Sequence, residues 1–440
     1  GTDITAATLN PSTSYEGGAS SDIEFWKKDD SYDIYGKIEL TVNTIGTNLS
    51  NSPALKYAVV NNGNVLKEGS LKGTTSGSKV TILKNLYLEQ TKQIYTVYVW
   101  LDNSEELGNI SNESLSISVD CTASLQKEPT AADTIISLYT SAAKVTATNN
   151  SITYNTAPSV SLMNDRLGGT TTSLDGGNIR YYGASPNNYI YFNCSDYSNQ
   201  TSSTCETWRI IGVFDGKLKI TNPTKNDFYF PFDYDKNDDG TSTTYDSNWS
   251  TSTLQKLLNN GYYNNTIGEI TYYFTDSSLR ERNNTKNMSN IGLKNVDTRK
   301  LISSEKWYLG SNYGLQFANE VYVAERSNIS CEDCNYDVIW NGNIALPYLS
   351  DFGYAGDFNA CNVSTISSNC KGWMLFSSMN YWLLSIDTAT TIMYYNFFYG
   401  NIQANLSSVS YIVLPTLYLI PDIKIVGGTG TSDNPYLINK

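Results

Sequence analysis

The sequence predicts a mainly β protein, with α+β character in its C-terminal part. Tyr is unusually abundant, with 34 Tyr against 13 Phe, and Tyr and Thr suit half-buried strands. The chain is also rich in Gly, Asn, Asp and Ser, the residues that turns favour. Its 440 residues leave room for roughly two to four domains, each with its own core.

Residues 1–124 are predicted to form an antiparallel β-sandwich. Apolar and polar residues alternate in five segments, and turn signals such as Asn61-Asn62-Gly63 separate them. Short strands at this spacing are typical of sandwiches. The segments are 35–42, 54–60, 79–83, 93–101 and 115–119. Two of them, Ala54–Val60 and Tyr95–Asp102, resemble immunoglobulin-like or camelysin-like surface modules of Gram-positive bacteria, which implies a stalk.

Residues 125–156 are predicted to be a linker that contains a short helix. Thr130 is a suitable N-cap for a helix over 131–143, and the polar run 146–156 follows it.

Residues 157–440 mix strands with short helices. Strands are predicted at 188–193 and 207–215, with a hairpin at Gly216 into Lys217–Ile220. A capped helix is predicted from Trp249, with an apolar face at Leu254, Leu257 and Leu258. Four tryptophans are predicted to lie in the core: Trp208, Trp340, Trp373 and Trp382.

Composition excludes several classes of function. The net charge of −13 disfavours nucleic acids and anionic membrane surfaces, which require clustered Lys and Arg. The absence of His removes Ser-His and Cys-His catalysis and the commonest zinc sites. No apolar run is long enough to span a bilayer. The chain begins Gly1-Thr2 without Met, and we expect it to be a trimmed form.

The seven cysteines predict disulfides and an oxidising compartment. Six of them form close pairs beyond residue 190, and proximity favours Cys194–Cys205, Cys331–Cys334 and Cys361–Cys370 among the possible connectivities. A zinc or redox role for Cys331 and Cys334 is the alternative, but a second CxxC and His ligands are lacking. Cys121 is left over, as a buried thiol or a site of intermolecular pairing.

One acidic segment has the spacing of a calcium-binding loop. Calcium prefers several oxygen ligands around a sharp, Gly-assisted turn, and Gly240 provides that turn. A structural Ca²⁺ is therefore the one cofactor expected, with a solvated turn as the alternative. The predicted ligands are Asp235, Asn237, Asp239, Thr241 and Asp246.

Residues 386–411 have the composition of a binding surface. They are rich in Tyr, Asn, Thr and Ser, with no Lys, Arg or Glu. Tyr provides large contact area at low entropic cost, while the small polar residues provide adaptable hydrogen bonds.

Six phrases in this half of the chain occur together in a known group of proteins. They are Ile179–Tyr189, Trp208–Phe214, Asn248–Leu254, Trp340–Ala355, Val413–Leu419 and Gly427–Leu437. Together they resemble surface proteins of gut Firmicutes and their phages. That group is similar to the variable proteins of diversity-generating retroelements, whose C-terminal domain has a C-type-lectin fold related to the formylglycine-generating-enzyme scaffold.

The resemblance implies a C-type-lectin-like ligand-display domain over residues 157–440. In such proteins the variable residues precede a final core strand, and adenine-directed change of Asn codons yields the residue types seen in 386–411. A non-variable lectin-like domain is the alternative. The implied ligand contacts are Asp387, Thr388, Thr390, Tyr394, Asn396, Tyr399, Asn401, Gln403 and Asn405.

The function predicted from these features is non-enzymatic binding. We expect an extracellular adhesin or receptor-binding protein, on a cell surface or phage particle, that recognises a host or bacterial glycan or protein. We expect no nucleic-acid partner and no direct membrane insertion. Two alternatives stay open: a subunit that assembles into a surface filament or pilus, and an enzyme on the formylglycine-generating-enzyme-like scaffold.

Overall fold

The computed structural model divides the chain into two compact units, residues 1–128 and 129–440. It describes residues 2–4, 9–149, 152–166, 177–223, 228–233, 248–265, 270–275, 281–286, 288–310, 317–326, 339–356, 372–374, 380–387, 392–396, 402–406 and 410–439. Within these residues no helix is both long and apolar enough to cross a bilayer.

The first unit consists of two small sheets. One has the strand order β1-β9-β4-β7, and the other has the order β2-β8-β5-β6 with β3 also paired to β8. All pairs are antiparallel except β2 with β8. The elements are β1 (Thr2–Ile4), β2 (Pro11–Ser12), β3 (Ala19–Phe25), β4 (Tyr35–Ile45), α1 (Thr47–Asn51), β5 (Leu55–Asn61), β6 (Asn64–Ser70), β7 (Lys79–Tyr87), β8 (Gln93–Asp102) and β9 (Leu115–Ser124).

Alternation along the strands produces the core of this unit. Ile38 and Leu40 on β4 and Val97 and Val99 on β8 are fully buried in one cluster, although the two strands belong to different sheets. Residues two apart on a strand share a face, so each sheet turns its apolar face to the other. This is the arrangement of a β-sandwich, and the mainly β class predicted from the alternation is confirmed.

The second unit is larger and contains one broad antiparallel sheet, ordered β10-β11-β12-β13-β15-β16-β28-β20, with β14 on β15 and β23 on β28. A second sheet has the order β17-β27-β24-β25-β26, and three two-stranded sheets complete the unit among the described residues.

The elements of the second unit are α2 (Ala131–Ser141), β10 (Val145–Asn149), β11 (Ile152–Ala157), β12 (Leu162–Asn164), β13 (Ile179–Tyr181), β14 (Tyr189–Phe192), β15 (Glu206–Phe214), β16 (Lys217–Thr221), β17 (Tyr229–Pro231), α3 (Thr253–Lys256), β18 (Ile270–Thr275), β19 (Glu281–Lys286), α4 (Met288–Ile291), α5 (Val296–Lys300), β20 (Ile302–Ser303), β21 (Glu305–Tyr308), α6 (Ala318–Arg326), β22 (Ile339–Gly342), β23 (Ile344–Ala345), α7 (Leu349–Ala355), β24 (Tyr381–Asp387), β25 (Ile392–Asn396), β26 (Ile402–Leu406), β27 (Ser410–Ile412), β28 (Thr416–Leu419), β29 (Lys424–Gly427) and β30 (Leu437–Asn439).

The predicted linker over 125–156 belongs largely to the second unit. Helix α2 forms as expected, because the Thr130 and Asp133 side chains make a reciprocal capping box. Its Ile135 and Tyr139 are buried in the core of the second unit, and β10 and β11 begin the broad sheet. The segment is therefore structural and not a linker, since its apolar helix face has a core to join.

The helix predicted from Trp249 is broken into three short pieces. A 3₁₀ turn, Trp249–Thr251, is capped by Asn248, and α3 is capped anew by Ser252. A π-helical turn, Leu257–Tyr262, follows directly. Within it, the Asn259 side chain bonds both backbone groups of Ile344, at 2.9 and 3.1 Å. This tertiary contact accompanies the irregular helix, and π turns of this kind often mark places where a helix meets other structure.

The segment Val413–Leu419 begins as a connection between two strands. Strand β27 ends at Ile412, and β28 begins only at Thr416. Pro415 lies between them and lacks an amide hydrogen for a ladder. Its carbonyl instead accepts from the backbone N–H of Asn222 at 3.1 Å, so the chain passes from one sheet to the other at this proline.

Ile135→Ala tests whether α2 is structural. We expect the variant to lower the free energy of unfolding of the second unit by about 2–5 kcal/mol, because it leaves a cavity at a fully buried position. Urea unfolding followed by tryptophan fluorescence measures the change. Ser137→Ala, at an exposed position of the same helix, is the control. An Ile135→Ala variant as stable as wild type would restore the linker interpretation.

Candidate functional site

The candidate binding surface is the ladder of β24, β25 and β26. Strands β24 and β25 are antiparallel, with Tyr381 opposite Asn396 and Trp382 opposite Tyr395. Strand β26 continues the ladder through the pair Ile392 and Leu406. On its other side β24 pairs in parallel with β27 at Tyr381. The ladder is therefore fixed to the unit through its first strand.

Strand β24 is anchored by aromatic packing. Residues Tyr381 to Leu384 are fully buried. The Trp382 indole donates a hydrogen bond to the Phe230 carbonyl at 2.8 Å. Its ring also packs edge-on against Phe232 and Tyr411, with centroids 5.6 and 4.9 Å apart. A buried Trp with its N–H satisfied holds its strand in one position.

Ser385 connects the anchored strand to a buried carboxylate. The Ser385 hydroxyl accepts from the Leu349 backbone N–H at 3.0 Å and donates to Glu325 Oε1 at 2.8 Å. The same carboxylate of Glu325 accepts from the backbone N–H and the hydroxyl of Ser350, at 3.1 and 2.5 Å. One side chain from α6 thus ties together the start of α7 and the end of the buried part of β24.

Glu325 is almost fully buried. Burial raises its pKa, because a charged carboxylate loses hydration in the interior, while the neighbouring Arg326 and Ser350 act in the opposite direction. Arg326 Nη1 lies 3.3 Å from the carboxylate. The charge is therefore held by one cation and three hydrogen-bond donors among the described residues.

A second buried carboxylate, Asp351, lies one residue from Ser350. Its Oδ1 accepts from Arg180 Nη1 at 2.9 Å, and its Oδ2 accepts from the ammonium group of Lys219. Oδ2 also accepts from the Tyr348 N–H at 3.0 Å and so caps α7. Asp165 binds Arg180 from the other side. We call Asp165, Arg180, Lys219 and Asp351 the buried charge cluster; it contains two cations and two anions.

The cluster shifts the pKa values of its members. Burial lowers the pKa of Lys219 to about 8, although Asp351 opposes this change. Burial raises the pKa of Asp351, but the attraction of Lys219 and Arg180 outweighs it, and the net pKa lies below its usual value. Desolvation and Coulombic attraction thus act against each other in one site.

The structure divides the described ligand-contact candidates between two faces of the ladder. Partners across a ladder share a face, and neighbours along a strand alternate. Three candidates therefore belong to one face of the ladder register. Asp387 pairs with Ile392, Tyr394 pairs with Ala404, and Asn396 pairs with both Tyr381 and Ile402. Gln403 and Asn405 pair with Tyr395 and Met393 and belong to the other. Thr388, Thr390, Tyr399 and Asn401 lie outside the described residues.

The predicted metal and disulfide residues have different outcomes. The Cys194–Cys205 disulfide is confirmed. The other two predicted disulfide pairs and the whole predicted calcium loop lie outside the described residues. The described part of the chain has no cluster of metal-binding side chains. Cys121, on β9, is a free thiol, and burial raises its pKa. The residues outside the description are Cys331, Cys334, Cys361, Cys370, Asp235, Asn237, Asp239, Thr241 and Asp246.

The sequence interpretation missed Glu325 and the buried charge cluster. Lys219 lies in an alternating strand and is expected to face solvent by its residue type. The broad sheet is covered on both faces at this point, as the buried run Leu218–Thr221 indicates. A signal was present in the Leu349-Ser350-Asp351 phrase, where an acid at the third helical position predicts a cap. That signal does not identify the cations.

Comparison with known proteins gives no relative for the chain. No protein-family model, no curated protein and no solved structure matches it. Its own residues are therefore the basis for assigning a function.

Glu325→Gln tests the buried carboxylate through pH. Because the pKa of Glu325 is raised in the folded state, protonation of Glu325 stabilises the fold. This stabilisation is lost as pH rises from the ordinary pKa of 4.5 through the folded value. Gln resembles the protonated acid. We expect a deficit of about 1–3 kcal/mol at pH 4, from imperfect hydrogen bonds, that shrinks as pH rises.

Urea unfolding at several pH values measures this difference. Glu320→Gln, at a partly exposed position of the same helix, is the matched control against which the Glu325→Gln difference is compared. A deficit of Glu325→Gln that grows with pH would mean that the ionised carboxylate is favoured in the folded state.

The Cys194–Cys205 disulfide gives a second stability prediction. The double variant Cys194→Ser with Cys205→Ser should lower the free energy of unfolding by about 2–4 kcal/mol, because the bond constrains the unfolded chain. Cys121→Ser leaves the disulfide intact and should have a small effect. Denaturant unfolding with and without reductant measures both. Wild-type protein that is equally stable in reductant would contradict the prediction.

Proposed function

We propose that the protein is an extracellular, surface-displayed binding protein that recognises a glycan or protein through a C-type-lectin-like second unit. The observation that carries the proposal is the ladder β24-β25-β26. Its first strand is fixed by Trp382 and Ser385 in the core, while the following strands carry Tyr, Asn and Gln. A rigid base under an adaptable polar and aromatic surface is what recognition needs.

The face that contains Asp387, Tyr394 and Asn396 is the proposed ligand face. Tyr is enriched among residues that dominate binding energy, and Asp and Asn supply directional hydrogen bonds to hydroxyl or amide groups. By the ladder register Gln403 and Asn405 belong to the opposite face, so they are left out of this first choice. The ladder register thus reduces the nine ligand-contact candidates from the sequence to three that are tested first.

Three properties are consistent with an extracellular binding protein. A structural disulfide, Cys194–Cys205, is typical of oxidising compartments. The net charge of −13 favours solubility and disfavours adhesion to nucleic acid. A mainly β chain of two compact units is also consistent with a stalk and a display domain.

Sequencing of the gene's 3′ end across a cell or phage population tests whether the surface is diversified. Substitutions confined to adenines within codons 380–411, above a constant scaffold, would support a variable binding protein. A uniform sequence would leave a fixed-specificity binding protein, and binding of the whole protein to a panel of glycans and surface proteins then identifies the ligand class. Absence of any binding in that panel, together with a uniform sequence, would contradict the proposal.

Paired variants test the ligand face. We expect Tyr394→Ala with Asn396→Ala to weaken binding at least tenfold, which corresponds to about 1.4 kcal/mol. The matched control, Gln403→Ala with Asn405→Ala, removes polar groups from the opposite face and should bind within about threefold of wild type. Titration against the ligand found in the panel measures both. The reverse pattern would assign the site to the other face.

A further inference from the structure

Lys219 and Asp351 form a buried contact between distant parts of the second unit. Lys219 lies on β16 and Asp351 at the start of α7, 132 positions apart. Both side chains have 0% exposure. Their contact joins the broad sheet to the helix that also holds Ser350.

The surroundings of the Lys219 amine are aromatic. The Nζ atom lies between 4.5 and 5.7 Å from the ring centroids of Phe214, Trp307, Tyr348 and Tyr418. An ammonium group has three donors, and among the described residues its hydrogen-bond acceptor is Asp351 Oδ2. Both side chains are fully buried beneath these rings, and burial of this kind favours condensation over hydrolysis.

The Asp351 carboxyl group is also polarised. Arg180 Nη1 donates to Oδ1 at 2.9 Å, on the oxygen that does not contact Lys219. Arg180 also pairs with Asp165, and its guanidinium carbon lies 4.6 and 4.5 Å from the ring centroids of Phe214 and Tyr354. A fixed cation beside Oδ1 would stabilise negative charge that develops on that oxygen.

We propose that Lys219 and Asp351 become joined by an intramolecular amide bond after the chain folds. The amine, the carboxyl group and a cation for the developing oxyanion are brought together in a fully buried site, an arrangement that favours amide condensation.

The reaction balances without an added reagent. A proton passes from the Lys219 ammonium to Asp351 Oδ2, which gives a neutral amine and a neutral acid. The nitrogen lone pair attacks Cγ, a C–N bond forms, and the π electrons move to Oδ1, beside Arg180. When the C=O bond reforms, the Cγ–Oδ2 bond breaks, and Oδ2 leaves as water with a second proton from nitrogen. Two side chains become one amide and one water molecule.

The charge balance of the core supports this outcome. Condensation removes one cation and one anion together. Arg180 keeps Asp165 as its ionic partner and the amide oxygen as an acceptor, while the Tyr348 N–H gives up Oδ2 as its acceptor. Burying an ion pair requires that both charges lose hydration, and a neutral amide avoids that penalty. The lowered pKa of Lys219, about 8, favours the neutral amine, while the lowered pKa of Asp351 opposes the neutral acid.

Intact mass spectrometry of the purified full chain, denatured and reduced, tests the proposal. We expect a mass lower by one water molecule than the sequence requires. Peptide mapping should show the segments around Lys219 and Asp351 as one branched peptide, with no tryptic cleavage after Lys219. A folded wild-type protein of full mass overturns the proposal, and so does a water loss that maps to another position, such as a succinimide at an Asn-Gly or Asp-Gly pair.

Matched variants locate the bond. Lys219→Met should have the full mass expected for its sequence. Lys217→Met is the control, because Lys217 lies two residues away on the same strand and pairs with Glu305 at 2.6 Å in a partly exposed ion pair; it should keep the loss of one water. If Lys219→Met does not fold, the mass of the folded wild-type protein still shows whether the amide has formed. Wild-type protein that is isolated in the unfolded state should have the full mass and should lose one water molecule when it is refolded.

Discussion

The Asp351 carboxylate is the contact on which the second unit depends most. It receives Lys219 from β16, Arg180 from β13 and the backbone N–H of Tyr348 at the start of α7. Three elements that are far apart in the chain are therefore brought together by this carboxylate as the unit folds, before the proposed amide forms. A buried carboxylate that lost one of these donors would keep its desolvation penalty without its compensation, so the packing around it must be accurate for the unit to be stable.

The adjacent residue extends this constraint to the candidate binding strand. Ser350 follows α7's first residue and bonds Glu325, which in turn bonds Ser385 on β24. The ladder is thus supported by a polar network in the core as well as by Trp382. A binding surface that tolerates many side chains needs a support that does not itself take part in binding. The described hydrogen bonds of Ser385 and Glu325 include those to Leu349 and Ser350 in α7.

Much of the first unit was predictable from the sequence, because alternation with period two directly specifies which side chains are buried. The five predicted segments correspond to β4, β5, β7, β8 and β9. The Thr130 cap was predictable for a similar local reason. The role of 125–156 was not, since only the folded core shows what the apolar face of α2 covers. The partners of Asp351 were equally hidden: no local pattern pairs residues 132 positions apart. In the candidate site, the sequence identified the segment and its composition, but the division into two faces needed the ladder register.

The position of β28 in the broad sheet has a consequence for biosynthesis. This strand, Thr416–Leu419, pairs with β16, β20 and β23, so an internal strand of the sheet is contributed by a segment that is translated long after β16, with Thr416 lying 195 positions after Thr221. The sheet cannot close during translation of the preceding residues, and its contacts are non-local, which slows folding. The first unit, whose strands all lie within residues 1–128, can fold while the rest is still being synthesised. The nascent second unit must meanwhile keep the β16 edge from pairing with other chains.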